Sequence, residues 1–381
     1  MCATSKKDGM PWNPSQTVPI DDAVGMVLAH DITEIRKDEF KGRAFKKGHI
    51  IRREDITHLR RLGKEHLFVL SVGADEMHEN DAAAALAAAL MGQGVRMEGE
   101  PKEGKINIVA DREGLLKVDR DALLALNMLG DVMCATRHGN TVVKKDRVIA
   151  GTRAIPLVVK KHVIDEAVRI CGQARQSGSP VLEVKELRIP KAGIVITGNE
   201  VYQGRVKDAF APVIAKKIEA VKGEIIGIYY APDDVAVIEQ RLRELLNAGA
   251  DLLITTGGMS VDPDDVTRFA IRKLGATDIT YGAPMLPGAM LLIGYVDRVQ
   301  SIKLGIPSGK NFKPETGSSG KIPILGIPAC GMYHAITTLD LVLPRVLAGE
   351  KITRKELAEL GHGGLCLHCK ECRYPVCPFG K

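Results

Sequence analysis

Asp251–Arg268 reads DLLITTGGMSVDPDDVTR, and it contains a strand, a turn and a helix start in eighteen residues. Leu252, Leu253 and Ile254 make a short buried strand, Thr255-Thr256-Gly257-Gly258 a sharp turn, and a helix is expected from near Pro263. Glycine has no Cβ, so the backbone of such a turn can come close to a ligand. In open α/β sheets, ligands collect outside the carboxyl ends of the strands. The N-terminus of the following helix offers free N–H groups to an anion. Asp264 and Asp265 at that helix start are candidates to cap it, bind a metal or move a proton. The same turn also serves inert connections, so its weight comes from its neighbours.

On the N-terminal side the pattern is regular from Lys191 onward. Gly193–Ile196 reads as a strand, Asp208–Lys222 as a helix and Glu224–Tyr230 as a second strand. A second helix follows, with Val235, Ile238, Leu242, Leu245 and Leu246 at helical spacing and Gly249 as its stop. Repeated strand–helix alternation predicts a mostly parallel sheet with helices on both faces, a three-layer α/β sandwich. Three strands then end in polar turns on one sheet edge: Thr197-Gly198-Asn199-Glu200, Pro232-Asp233-Asp234 and Thr255-Thr256-Gly257-Gly258. Helix capping explains any one of these acids. Acid, amide and glycine at three strand ends together favour a shared pocket, with Asn199, Glu200, Asp233, Asp234, Ser260 and Asp265 converging on it.

Residues 1–20 are polar and expected to fray. Residues 21–185 alternate short strands and helices and predict a smaller mixed α/β region, in one or two lobes. It is expected to hold an alanine-rich helix over Asn80–Gln93 capped by Asn80 or Asp81, a helix over Arg120–Leu129 and another over Lys160–Cys171. Strands are expected from Val142 to Ile155 around a turn at Ala150-Gly151. No catalytic constellation stands out there. With 45% hydrophobic and 26% charged residues, the composition is that of a globular protein. A net charge of +6 over 381 residues permits anionic ligands without requiring nucleic acid. No run approaches the roughly 20 apolar residues of a membrane span, and no signal peptide is visible, so neither a membrane nor a nucleic acid is an expected partner and the cytoplasm is the expected compartment.

Thr197-Gly198-Asn199-Glu200 resembles the Thr-Gly-[Asp/Asn/Ser]-Glu signature of molybdopterin-binding domains. Thr255–Thr267 is similar to their second signature, Thr-Thr-Gly-Gly-x-[Ser/Gly]-x-x-x-x-Asp. The resemblance spans about residues 190–350 and continues through Met285–Gly288 and Ile324–Pro328. A weaker match to the molybdopterin molybdenumtransferase family lies at Asp22–Asp31 and Gly48–Asp55. Two features depart from that family: Ala289-Met290 replaces Lys-Pro after Pro287-Gly288, and Ile327-Pro328-Ala329-Cys330-Gly331 replaces Leu-Pro-Gly-Asn-Pro.

The resemblance implies molybdopterin or adenylylated molybdopterin as ligand, and molybdate or tungstate as co-substrate. Gly257, Gly258 and Ser260 would cradle phosphate, with Thr256, Pro287 and Gly288 beside them. Asn199 and Glu200 would meet the pterin, with Thr197 and Gly198 in the same turn, and Asp233 and Asp234 would hold metal or ligand. Asp265, with Asp264, would order Mg²⁺ or act as acid/base. The implied activity is molybdate insertion with release of AMP. A cofactor carrier or sensor is the non-catalytic alternative, and a nucleotide pyrophosphatase of the competence-damage-inducible type the third. A dimer or trimer is implied, with a molybdoenzyme or another cofactor-biosynthesis protein as partner.

Residues 300–322 are rich in Gly, Ser, Lys and Pro and read as a flexible insert. The chain closes with Cys366, Cys369, Cys372 and Cys377, a C-x₂-C-x₂-C-x₄-C-P run within residues 361–381. Four thiolates so close suit one metal centre, either a [4Fe–4S] cluster or a Cys₄ zinc site. This tail is expected to be a separate module that leaves the pocket untouched.

Overall fold

A computed structural model of the chain describes residues 16–36, 40–70, 72–259, 266–297 and 320–381. Its contacts fall into two units, each considered by itself. One takes the described residues up to Val109, with Asp119–Thr136 and Val148–Leu182; the other takes those of Ala110–Val118, Arg137–Arg147 and Glu183–Lys381.

The second unit is built on strands whose residues are buried on both faces, as central parallel strands require. In β1 (Lys191–Thr197) every residue after Lys191 is buried, and in β3 (Leu252–Thr256) all five are. With β2 (Glu224–Ala231), β4 (Thr277–Tyr281), β5 (Leu292–Asp297) and β6 (Lys321–Ile327) they form a six-stranded sheet of order β2-β1-β3-β6-β5-β4. The first four strands run parallel, with Ile194 opposite both Ile228 and Ile254, and Ile254 opposite Leu325. The last two pairings are antiparallel.

Successive side chains along a strand point to opposite faces, and the cores follow that rule. Ile194, Ile254 and Leu325 face Phe210, Ile214 and Ile218 of α1 (Phe210–Ala220) and Leu339, Val342 and Val346 of α4 (Thr338–Leu347). Their neighbours Val195, Leu253 and Ile324 face Ile238, Leu242 and Leu245 of α2 (Val235–Asn247) and Ala270 and Ile271 of α3 (Thr267–Lys273). The result is the three-layer α/β sandwich expected from the alternation. Among the described residues this helix runs Thr267–Lys273; its expected start near Pro263 lies outside them.

The first unit is mixed α/β and corrects three local expectations. The alanine-rich helix runs Glu79–Leu90, and its cap is His78, whose ring nitrogen accepts from Asn80 N–H at 3.2 Å. Ala150-Gly151 lies inside the strand Val148–Ala154; the turn falls over residues 144–147, where Asp146 takes a φ of 63°. The helix expected over Lys160–Cys171 runs Lys161–Gln176 and buries Ile164, Ala167 and Cys171. Among the described residues, no helix is long and apolar enough to cross a membrane.

The tail is not a separate module. Phe379 is 4% exposed and shares a small core with Met285 and Leu341, against which Cys366, Tyr374 and Cys377 also pack. Backbone bonds dock it further: Leu286 N–H donates to the Gly364 carbonyl at 2.8 Å, and Cys366 N–H to the Leu286 carbonyl at 2.9 Å. Burial pushes the Tyr374 hydroxyl up to about 12. The physical reason is the apolar area that Phe379 and Tyr374 bury against Met285 and Leu341.

Candidate functional site

At the end of β3 the chain turns on Gly257 and Gly258, with φ of 81° and 57°. A Cβ on Gly257 would lie 2.4 Å from the Thr197 carbonyl oxygen, and one on Gly258 would lie 2.3 Å from Thr267 Oγ1. Both positions therefore need glycine twice over, for conformation and for space. Thr197 Oγ1 donates to the Thr256 carbonyl at 2.8 Å and lies 3.0 Å from Thr267 Oγ1. This buried threonine set ties the ends of β1 and β3 to the start of α3. Within it, Thr256 Oγ1 is buried without a hydrogen-bond partner among the described residues. An orphaned hydroxyl beside a glycine turn is the kind of atom a ligand satisfies.

A cavity of about 570 Å³ opens at this turn. Its floor is Gly257, Gly258 and Met259; one wall is the Leu286–Met290 turn between β4 and β5. The other wall is Pro328–Cys330 and His334 after β6, together with His368 from the tail. The size is that of a small-molecule site. The wall after β6 is held by Lys217 of α1, which donates to the Ala335 carbonyl at 2.8 Å and pairs with Asp340 of α4. Burial pushes the Cys330 thiol above its ordinary value, against the pull of the Gly288 N–H. The His334 and His368 rings lie 5.4 Å apart between centroids, inclined at 54°. His368 takes a φ of 49°, an uncommon conformation for a residue with a Cβ.

Of the residues singled out in the sequence, Gly257, Gly258, Pro287 and Gly288 line this cavity. Thr197 and Thr256 sit directly behind its floor. Asn199 and Asp233 instead clamp two strand ends to each other: Asn199 N–H donates to Asp233 at 2.9 Å, and Asp233 N–H to Asn199 Oδ1 at 3.2 Å. Asp234 caps α2 by accepting from Ala236 and Val237 N–H at 2.8 and 2.9 Å. Gly198 precedes the single helical turn Asn199–Tyr202, and Glu200 is exposed beside it. None of these five lines the cavity. Ser260, Asp264 and Asp265 lie outside the described residues.

Sequence reasoning missed Cys330, His334 and His368. Cys330 lay inside the Ile-Pro-Ala-Cys-Gly stretch already compared with the family. The two histidines carried no signal in their spacing.

The glycine floor, the orphaned Thr256 hydroxyl and the cavity size fit a pterin-sized ligand with an anionic group. They do not by themselves fit Mg²⁺, since no carboxylate is among the described lining residues. Cys366, Cys369, Cys372 and Cys377 are all described, yet no three His, Cys, Asp or Glu side chains among the described residues are gathered as a metal group.

Residues 193–348 match the family model of a probable molybdopterin binding domain, and residues 17–71 match a domain of unknown function. A CinA-like protein of Mycobacterium avium is 28% identical over 227 residues, covering 50% of this chain and 51% of that one. The chain thus spans about half the length of such curated relatives. A CinA-like protein of Mycolicibacterium gilvum is 42% identical over 89 residues, 22% of this chain and 21% of that one. Among solved structures, the tungsten cofactor synthesizing protein MoaB of Pyrococcus furiosus has a TM-score of 0.30 at 17% identity, over 42% of this chain and 94% of its own. The molybdopterin biosynthesis moea protein of Pyrococcus horikosii has a TM-score of 0.30 at 16% identity, over 87% of this chain and 74% of its own. At those TM-scores the structures add nothing to the reading of the site. The segment that carries the two Thr-Gly signatures and the cavity floor is the one that matches the family model of a probable molybdopterin binding domain.

Proposed function

We propose that the second unit binds molybdopterin, or its adenylylated form, in molybdenum-cofactor biosynthesis. The observation that carries the proposal is the cavity at the Gly257-Gly258 turn, inside the segment that matches the binding-domain family. The bare backbone of that turn receives an anionic group, and the apolar walls from Leu286–Met290 and Pro328–Cys330 hold the ring system and exclude water. The buried Thr197–Thr256–Thr267 set keeps the floor rigid. Turnover, meaning molybdate insertion with release of AMP, rests on Asp265 and Asp264 of the second signature. Incubation with adenylylated molybdopterin, molybdate and Mg²⁺ tests this. Stoichiometric binding without AMP release would leave a carrier. Asp265→Asn is expected to remove AMP release while retaining binding, because the amide keeps the shape and loses the charge. No binding of either pterin would sink the proposal.

The identity to CinA-like proteins favours one second reading, hydrolysis of a dinucleotide pyrophosphate at the same turn. Robust cleavage of a free dinucleotide would support it.

A further inference from the structure

We infer that Glu79 is a proton-operated latch in the first unit: while its carboxyl is neutral, the glycine turns at Gly48 and Gly104 close against it, and ionisation loosens them. Glu79 opens the helix Glu79–Leu90 and is 3% exposed. Its two oxygens lie against bare backbone. A Cβ on Gly48 would meet one of them at 2.7 Å, and a Cβ on Gly104 would meet the other at 2.8 Å. Among the described residues, no hydrogen-bond donor meets the carboxyl. In such a place, with neither water nor a donor, the charged form is the costly one.

The latch joins two parts of this unit. Gly48 belongs to residues 17–71, which match a family model of their own, whereas Gly104 lies between the strands Val95–Lys102 and Lys105–Ala110. Three consecutive residues meet both turns. His78 donates from Nε2 to the Gly48 carbonyl at 2.7 Å and accepts from Asn80 N–H at Nδ1, and Asn80 Oδ1 accepts from Gly104 N–H at 2.9 Å. His78 and Asn80 therefore fasten the turns with hydrogen bonds. Glu79 between them fastens neither, which leaves its charge as the variable. The charged groups facing it are Arg153 at the end of the strand Val148–Ala154, Lys47 in the Gly48 turn and Glu103 in the Gly104 turn; Glu103 also pairs with Lys46 at 3.0 Å. Burial pushes the Glu79 carboxyl above the ordinary 4.5 against the attraction of Arg153, with Glu103 adding to burial and Lys47 opposing it. A carboxyl raised on folding favours the closed form below its ordinary value and opposes it as pH rises through the folded one.

Amide exchange of the full chain across pH, corrected for intrinsic rates, tests this. Gly48 N–H, bonded to the Leu28 carbonyl at 2.8 Å, and Gly104 N–H report on the two turns. In the wild type their protection is expected to fall by about tenfold or more as pH rises from below 4.5 to neutral. Glu79→Gln keeps the shape without the charge, so protection there is expected to be high and independent of pH. Arg153→Met removes an attraction that favours the charged form and is expected to move the loss of protection to higher pH. Constant protection in the wild type overturns the inference. So does pH dependence that persists in Glu79→Gln, which would belong to His78 or Glu103. Should the glutamine variant not fold, the Arg153→Met midpoint decides by itself, and an unmoved midpoint overturns the latch.

Discussion

At Gly257 a methyl group would meet the Thr197 carbonyl and hydroxyl oxygens at 2.4 and 2.8 Å. Gly257→Ala is therefore expected to destabilise the second unit by about 1–2 kcal/mol from the left-handed backbone alone, with the clash added. Urea unfolding measures the loss, and pterin affinity should fall with it. An alanine variant of unchanged stability would mean that the turn is not built as described. Asp234 predicts the opposite separation. Its carboxylate is committed to Ala236 and Val237 N–H, so Asp234→Ala should cost about 1 kcal/mol of stability and leave ligand affinity intact. Lost affinity at full stability would return Asp234 to the site.

Between elements, Glu350 follows α4 and pairs with Lys117 at 2.6 Å and Arg345 at 2.9 Å. Burial disfavours its charge, but the two cations outweigh burial and hold its carboxyl below the ordinary 4.5. A carboxylate depressed on folding contributes stability that is present above its unfolded value and lost as pH falls through the folded one. Glu350→Gln is thus expected to cost about 3 kcal/mol near neutral pH and to flatten the acid limb below 4.5. Equilibrium unfolding across pH checks both. The tail is the second inter-element contact. Phe379→Ala removes the anchor it shares with Met285 and Leu341, a loss of about 3 kcal/mol or more from that small core. Hydrogen exchange should rise across residues 361–381, and pterin affinity should drop because His368 leaves the cavity wall. Raised exchange with unchanged affinity would mean that the tail is dispensable to the site.

For the whole chain, the open quantity is metal content. Cys369 and Cys372 are exposed, while Cys366 and Cys377 are half-buried on the domain. Anaerobic purification followed by iron, acid-labile sulfide and zinc analysis identifies the centre. Iron with sulfide means a cluster, one zinc without visible absorption means a Cys₄ site, and neither removes the metal reading. Cys369→Ser is expected to lower the metal found. Its position next to His368 means that it should also weaken pterin binding, contrary to a modular tail.

Much of the α/β domain was legible in the chain because its determinants are local. Continuous apolar runs at 193–196 and 252–254 make buried strands, helical spacing of Ile238, Leu242 and Leu245 makes a face, and Gly257-Gly258 can take backbone angles closed to other residues. These fixed the layers and the cavity floor. The sequence also suggested a convergence of acids; among the described residues, the tertiary structure commits Asp234 to the N–H groups of α2 and pairs Asp233 with Asn199. The cavity walls depend on which loops the strand order β3-β6-β5 brings together and on where the chain end finds an apolar seat. His334 and His368 stand thirty-four positions apart. Their meeting is set by the docking of Phe379 and the Leu286 backbone pairing, long-range contacts that local spacing does not encode.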